Sequence, residues 1–387
     1  MLTRSFTAAS CLAKLFMLAI VVSGLIVSVQ AQTETILHNF DVSDEGFTTA
    51  GLTGDGQGNF YGGAGTVVFK IDAAGNYSTI HSFQYLTGEV FPTISSLVLD
   101  NQGNLYGDAY NDSTDFADFL QTFQITPAGN FKILAPIGAS PIPQIQIPGA
   151  VLDANKNVYV ISGPSLSETN ISIDKISPSG TVTTVHTFTD AGMGLVGLSI
   201  DSKGNLYSIS VNQAPPHQCC NRYRIDKTMA SEHTKTVHIV ADRHTENPPS
   251  FLGVGAKDNL YGMTGEGGTD NNGTVFLLTP AGQYKTLFSF NGANGSLAND
   301  SGILAGAPVQ DAAGNLYGAT PSGGGHGMGT VFRLSPEGVL TTLYNFGDSA
   351  SDGAFPNGVV LDQYGNLYGT TLEGGANNMG VVFKITM

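Results

Sequence analysis

Carboxylates and imidazoles are the side chains of this chain with chemistry to offer, and they gather in glycine-rich segments of its C-terminal third. Asp270, Asp300, Asp348, Asp352 and Glu373 supply oxygen donors, the kind of ligand that hard cations such as calcium prefer. Asp348-Ser349-Ala350-Ser351-Asp352-Gly353 comes within one carboxylate of the Asp-x-Asp-x-Asp-Gly opening of a calcium loop. Calcium at Asp348 and Asp352 is therefore the one cofactor expectation. It stands beside the ordinary habit of Asp and Asn to form turns, which explains the same residues without an ion. His326 sits in Gly323-Gly324-Gly325-His326-Gly327, where a base would need a partnered nucleophile or carboxylate that the local sequence does not supply. Asp270, Asn272, His326, Asp352 and Glu373 make up the candidate ligand-binding set. No residue is assigned a catalytic role.

Two further constellations invite chemistry. Cys219 and Cys220 are adjacent, so in an oxidising compartment they are candidates for a vicinal disulfide, with two free thiols or intermolecular pairing as alternatives. His217 beside them suggests a metal, but neighbouring cysteines chelate a tetrahedral ion poorly and no second Cys/His pair follows. His38, His81 and His186 recur where Phe288 and Tyr344 stand in related segments, so they read as ring-sized packing groups.

These residues are placed by a repeat. A phrase built on Asp-x-x-Gly-Asn-Leu-Tyr-Gly begins at Asp55, Asp100, Asp153, Asp201, Gly255, Asp311 and Asp362, at intervals of 45 to 56 residues. That period, in a sequence with 50 glycines and many β-formers, points to a radial array of small sheets. Within the last unit, 358–362 reads as strand a, 363–366 as a turn, 367–371 as strand b and 381–385 as strand c; 340–346 shows strand d in the preceding unit. Asp accepts backbone N–H bonds in the turn, while Gly, and Asn beside it, suit a left-handed backbone. Lys156 and Asp258 stand in the Gly position of the third and fifth copies, and Lys156 predicts a different turn there. The recurring Tyr of strand b is expected to pack between sheets.

Strands c and d each recur seven times, yet the first strand d, 33–40, precedes every strand a, and the last unit stops at strand c. The fold class predicted is all-β: a seven-bladed β-propeller of four antiparallel strands per blade, with the ring closed by the N-terminal strand joining the last blade. One domain, 32–387, accommodates it. The tight a–b and c–d turns fall on one face and the longer b–c and d–a loops on the other, which is where a loop-built site belongs.

Residues 1–31 read as an export signal: Arg4 and Lys14, an apolar run from Leu15 to Val29, then the small-x-small Val29-Gln30-Ala31. Loss of Arg4 and Lys14 would take the formal net charge from −15 to −17, a balance unsuited to nucleic acid or anionic membranes. The mature protein is expected in the periplasm or outside the cell, without membrane insertion, and as a monomer.

Gly314-Asn315-Leu316-Tyr317-Gly318-Ala319-Thr320, Gly329-Thr330-Val331-Phe332-Arg333-Leu334 and Thr342-Leu343-Tyr344-Asn345-Phe346-Gly347 resemble the bacterial GloVer tandem repeat of choice-of-anchor exported proteins. The resemblance covers nearly the whole chain after residue 31 and is sharpest in the first two and last three units. It implies an exported bacterial protein with no assigned activity, and in many members a C-terminal anchor or sorting segment. A metal lactonase of the gluconolactonase type would place metal ligands on inner strands, but 96–99, 149–152, 198–200 and 359–361 carry no carboxylate before the turn Asp. The expectation is a non-catalytic binding or scaffold propeller with a glycan or cell-surface protein as partner; the alternative is a hydrolase or lyase. Mass spectrometry of the exported protein should find Gln32 at its N-terminus, and retention of residues 1–31 would overturn the signal reading.

Overall fold

Alternation of buried apolar and polar residues, broken by glycine-rich turns, gives 28 short strands among the described residues. The computed structural model describes residues 32–41, 48–83, 92–111, 120–137, 149–162, 171–189, 193–212, 222–229, 231, 233–240, 252–298 and 306–387. Cys219, Cys220, His217 and Asp300 lie outside them. Residues 34–387 form one compact unit, and every sheet in it has four strands.

Blade 1 comprises β2 (Thr48–Gly54), β3 (Phe60–Ala64), β4 (Val67–Ile71) and β5 (Tyr77–Ser82), and blade 2 comprises β6 (Pro92–Leu99), β7 (Leu105–Asn111), β8 (Leu120–Ile125) and β9 (Phe131–Ile137). Blade 3 holds β10 (Val151–Leu152), β11 (Val158–Ser162), β12 (Ile171–Ile176) and β13 (Val182–Phe188); blade 4 holds β14 (Met193–Ile200), β15 (Leu206–Asn212), β16 (Arg222–Thr228) and β17 (Thr234–Val240). Blade 5 is β18 (Leu252–Val254), β19 (Leu260–Thr264), β20 (Thr274–Leu278) and β21 (Tyr284–Ser289), and blade 6 is β22 (Val309–Gln310), β23 (Leu316–Thr320), β24 (Thr330–Leu334) and β25 (Leu340–Asn345). Blade 7 joins β26 (Gly353–Leu361), β27 (Leu367–Gly374) and β28 (Val381–Thr386) to β1 (Thr33–Asn39), which lies beside β28 as the fourth strand. Contacts link β2, β6, β10, β14 and β18 in turn and β22 to β26, blades 5 and 6 pack through Tyr261 and Met263 against Leu316 and Phe332, and contacts return from β26 and β27 of blade 7 to β2 of blade 1. The architecture is a ring of seven antiparallel blades, as the repeat predicts.

Every a–b turn but that of blade 5 is built on one carboxylate. Asp100 Oδ1 accepts the N–H of Gln102 at 2.8 Å and of Asn104 at 2.9 Å, while its Oδ2 accepts Asn104 Nδ2 at 2.8 Å and the Tyr106 hydroxyl at 3.3 Å. The same set recurs at Asp153, Asp201 and Asp362. Burial works against the Asp100 charge, yet donors from Asn104, Lys156 and Gln102 hold its carboxyl below the usual carboxylate range. The motif Asn is therefore a side-chain donor. None of the seven adopts positive φ, which corrects the left-handed role expected for it.

Two irregular turns find substitutes. Lys156 takes the left-handed backbone of the missing glycine (φ 65°) and keeps the turn's N–H bond to the Asp153 carbonyl at 2.9 Å, so the geometry predicted to differ is retained. Its ammonium lies 3.1 Å from Asp100 of the preceding blade, an ion pair that offsets the cost of φ > 0 in a long side chain. In blade 5, where Gly255 replaces the Asp, Gln310 of blade 6 accepts the Ala256 N–H at 2.9 Å and donates to the Tyr261 hydroxyl at 3.0 Å.

The core lies in the gaps between blades. In blades 1, 2, 5, 6 and 7 a buried Phe of the third strand (Phe69, Phe123, Phe276, Phe332, Phe383) pairs with a Gly of the second (Gly62, Gly107, Gly262, Gly318, Gly369). The ring covers that glycine so closely that an added Cβ would meet it at 2.4 to 2.6 Å. Asp311→Ala should lower stability by about 2 kcal/mol or more and Tyr317→Phe by about 1 kcal/mol, read by urea unfolding. Deleting residues 32–40 removes the outer strand of blade 7, and a sharp fall in melting temperature is expected; an unchanged melting curve would show that β1 has no part in holding the ring together.

Candidate functional site

The loops of blades 5 to 7 lock together through their backbones on the long-loop face. Leu297 N–H donates to the Asn272 carbonyl at 2.9 Å, Ser296 and Ser322 exchange N–H···O bonds at 2.7 and 3.2 Å, and Gly324 N–H reaches the Gly292 carbonyl at 2.9 Å. Phe355 N–H bonds to the Met328 carbonyl at 2.9 Å, and Gly375 N–H to the Asp352 carbonyl at 2.7 Å. At the end of β1, Ala376 N–H donates to Asn39 Oδ1 at 2.8 Å and Asn377 Nδ2 to the Phe40 carbonyl at 3.0 Å. These bonds give a glycine-rich surface a fixed shape.

On this frame the sequence candidates take different places. Asp270 is exposed, and its carbonyl accepts from Asn272 Nδ2 at 3.0 Å. His326 Nε2 stands 3.7 Å from Asp348 Oδ1, with both side chains open to water. Asp352 is buried, and its Oδ2 accepts the N–H of Gly347 at 2.7 Å and of Asp348 at 3.1 Å, so this carboxylate shapes the connection leading into β26. Glu373 is half-buried, and its carbonyl accepts the Thr371 hydroxyl at 2.9 Å. The structure thus brings His326 to Asp348 and ties Asp348 to Asp352. No hydrogen bond or ion pair among the described residues joins the side chains of Asp270, Asp352 or Glu373 to His326. No group of three or more His, Cys, Asp or Glu among the described residues is placed to hold a metal ion.

The strand histidines are ring-stacking groups. His38 of blade 7 stacks on Tyr77 of blade 1 at 3.6 Å, His81 of blade 1 on Phe131 of blade 2 at 4.2 Å, and His238 of blade 4 on Tyr284 of blade 5 at 4.3 Å, all within 5° of parallel. Each joins a residue near the end of one outer strand, the sixth of β1 and the fifth of β5 and β17, to the first residue of the next blade's outer strand. His186 holds the same position in blade 3, edge-on to Phe188. Burial depresses the basicity of His81, His186 and His238.

Three buried carboxyl groups escape a reading of the sequence by its turn motif. In blades 3 and 4 the Phe paired with Gly gives way to Asp174 opposite Val160 and Asp226 opposite Ser208. Asp174 accepts a short hydrogen bond from Ser162; Asp226 is held by Arg224 Nε at 2.6 Å, Thr236 at 2.7 Å and Ser210 at 3.2 Å. Asp108 of blade 2 faces blade 3 beside Tyr106, takes a 2.7 Å bond from Thr122, and is pushed up to about 7 by burial. Aligning the repeats by strand rather than by turn motif exposes all three.

A fourth group lies between blades 6 and 7. Glu34, six residues before Phe40, holds the outer-strand position that Tyr77 and Tyr284 hold before Phe83 and Phe290. The facing position of blade 6, two residues before Phe346, is Tyr344; burial pushes the Glu34 carboxyl up to about 7, with the Asp352 charge adding to it and the Tyr344 hydroxyl opposing it.

The sequence profile of the Gloeobacter/Verrucomicrobia repeat matches residues 198–387. These residues belong to that repeat family. The repeat's hallmark pairs, Asp with Asn and Tyr, and Phe with Gly, are also present in blades 1 and 2 upstream of the match, with the Tyr61 hydroxyl of blade 1 outside the bonded set. No curated protein matches the chain. Among solved structures the chain is similar to the extracellular domain ascribed to a one-component system of B. thetaiotaomicron, at 14% identity, TM-score 0.40, and 86% of this chain. The chain spans 40% of that structure's length. It is also similar to a gluconolactonase of Xanthomonas campestris (11% identity, TM-score 0.45, 93% of this chain and 92% of the other) and to a glucose dehydrogenase (11%, 0.46, 92% and 99%). No helix among the described residues is long and apolar enough to cross a membrane.

The buried imidazoles set a pH dependence. A His whose folded pKa is depressed contributes stability that is full above its unfolded value of about 6.5 and is lost as pH falls through the folded value. His81→Phe keeps the ring stack and removes the titration, so its melting temperature should gain on the parent's steadily between pH 7.5 and 5. A constant difference would show that His81 does not charge on unfolding.

Proposed function

We propose that the protein is an exported binding or scaffold propeller that presents the long-loop face of blades 5 to 7 to a glycan or a cell-surface protein. The observation that carries this reading is the interlocked backbone of that face. It spends the polar side chains Asn271, Asn345, Asp352 and Asn378 on fixing loop conformation, and it leaves Asp270, His326 and Asp348 exposed on a surface already organised before any partner arrives. Preorganised loops bind at low entropic cost, which is what a recognition module needs. The basic, apolar and small-residue sequence of residues 1–31 supports export, and the acidic balance favours neutral glycans or basic protein surfaces.

A panel of soluble glycans, cell-wall fragments and calcium tested by thermal shift addresses the reading directly, because a ligand at about 100 times its Kd adds roughly 2.7 kcal/mol. A glycan-dependent shift lost in the Asp270→Ala, His326→Ala double variant is the expected result. A shift that survives the double variant would move the site off this face. Turnover of a lactone or glycan, lost with His326, would make the His326–Asp348 pair catalytic and overturn the non-catalytic reading.

A further inference from the structure

The formal net charge of −15, which disfavours an anionic membrane for the molecule as a whole, hides a sorting of charge between the two faces of the ring. Among the described residues the exposed lysines are Lys132, Lys203, Lys235, Lys257 and Lys285. Lys203 and Lys257 sit in the a–b turns of blades 4 and 5, and Lys132, Lys235 and Lys285 are the second residues of the outer strands β9, β17 and β21. Outer strands follow the c–d turns, so all five stand at the tight-turn end of blades 2 to 5. No described acidic residue at that end of these blades is exposed. Asp100 and Asp201 are buried and Asp153 and Asp258 half-buried, their oxygens taken up by turn donors and by lysines. The exposed acids are elsewhere: Asp270 and Asp348 on the long-loop face, and Glu337 in the c–d turn of blade 6.

The patch is continuous from blade to blade. Lys156 of blade 3 meets Asp100 of blade 2 at 3.1 Å, and Lys203 of blade 4 meets Asp258 of blade 5 at 3.3 Å. The c–d turn of blade 3 lies against β9, where a Cβ on Gly180 would meet the Leu134 carbonyl at 2.6 Å, and that of blade 5 lies against β17, where one on Gly282 would meet the Val237 carbonyl at 3.1 Å. Blades 3 and 4 pack through Tyr159, Leu198 and Leu206. Two aliphatic side chains are exposed among the lysines: Val182, which opens β13, and Val254, which closes β18.

We propose that the tight-turn face of blades 2 to 5 docks on an anionic phospholipid surface, with its lysines against the phosphates and Val182 and Val254 at the level of the headgroups. Lysine heads around isolated aliphatic groups, on a shallow face of short turns, suit a headgroup layer. An acidic protein would be gripped better by the planar fork of arginine, and no described arginine lies at this end of these blades. The acids of the opposite face do not prevent docking. The middle strands of blades 2 to 5 are five to seven residues long, which sets the faces about 17 to 24 Å apart, against a Debye length of about 8 Å at physiological ionic strength. β1 starts and β28 ends at the tight-turn face too, so docking puts the points where the chain enters and leaves the propeller on the lipid side and turns the loops of blades 5 to 7 outward. The proposal holds whatever those loops bind.

Cosedimentation of the exported protein with vesicles of phosphatidylcholine, and with vesicles of equal parts phosphatidylcholine and phosphatidylglycerol, tests it. Binding to the mixed vesicles alone, weakening as salt is raised, is the expected result. Each lysine close to such a surface is worth about fivefold in binding, so a Lys132→Gln, Lys235→Gln, Lys285→Gln triple variant should bind about a hundredfold more weakly. Its melting temperature should match the parent's, because all three side chains are exposed. Should the variant fail to fold, acetylation of the parent's lysines decides: the mixed vesicles should protect the five exposed lysines and leave Lys70 and Lys384, of blades 1 and 7, as they are without lipid. Equal binding to both kinds of vesicle, binding to neither, parent-like binding by the folded variant, or no selective protection overturns the proposal. Capture of soluble polyglutamate without capture of vesicles would also overturn it, by making this face a dock for an acidic protein.

Discussion

The whole ring depends on a carboxylate that is asked to do four things at once. In each regular a–b turn one Asp gathers two backbone N–H groups on one oxygen and an amide and a phenol on the other. The backbone donors shape the turn, and the amide comes from the same turn. The phenol belongs to strand b, so its bond fixes the rotation of a ring that then fills the space against the next blade. Local turn chemistry and inter-blade packing are therefore one interaction, repeated around the circle. Where the Asp is missing in blade 5, the Gln310 side chain of blade 6 restores both an acceptor for the turn and a donor for the phenol, which shows how strongly the fold requires that node to be filled.

The second constraint is steric. Gly in strand b exists to admit the Phe of strand c, since any Cβ there would collide with the ring, and the ring in turn supplies the bulk of the inter-blade core. Blades 3 and 4 abandon this lock. Asp174 and Asp226 take the place of the Phe, and buried serines and threonines surround them, so the gaps on either side of blade 3 are held by hydrogen bonds as well as by apolar contact. Such polar joints are specific but unforgiving, because a lost partner leaves a buried charge without compensation. The ring is consequently not uniform: its apolar arc runs through blades 5, 6, 7, 1 and 2.

Blade number, strand number and the placement of loops on two faces are legible because each is written seven times, and a repeat averages out local ambiguity. The histidines are legible for the same reason, as they occupy a position that demands a ring. What stays hidden is anything resting on a contact between blades. Lys156 tolerates its left-handed backbone because Asp100 of the neighbouring blade receives its charge, and no reading of the third turn alone contains that partner. The motif Asn suggests a backbone role when its value lies in its side chain. In strand d of blade 4, Thr234–Val240, the part of His238 shows only through its stack on Tyr284 of the next blade. Glu34 looks like one more polar residue of the first strand, since its place in a ring position appears only when the outer strands are aligned on their closing Phe, as Phe40, Phe83 and Phe290. Among the loop candidates, residue type correctly marks a structured surface, but His326 meets Asp348 through a fold of the chain that spacing does not reveal.

Blade 7 takes three strands from one end of the chain and its fourth from the other. The six remaining sheets can each form as soon as their own stretch of about fifty residues is available, whereas this one must wait for contacts some 340 residues apart in sequence, such as Asn39 with Ala376. Strand β1 is thus made long before its partner β28 and finds its place in the sheet only after β28 exists. A chain cut short before blade 7 has no β28 for it to join. Its docking is in effect a length check, reporting that the last blade has been made.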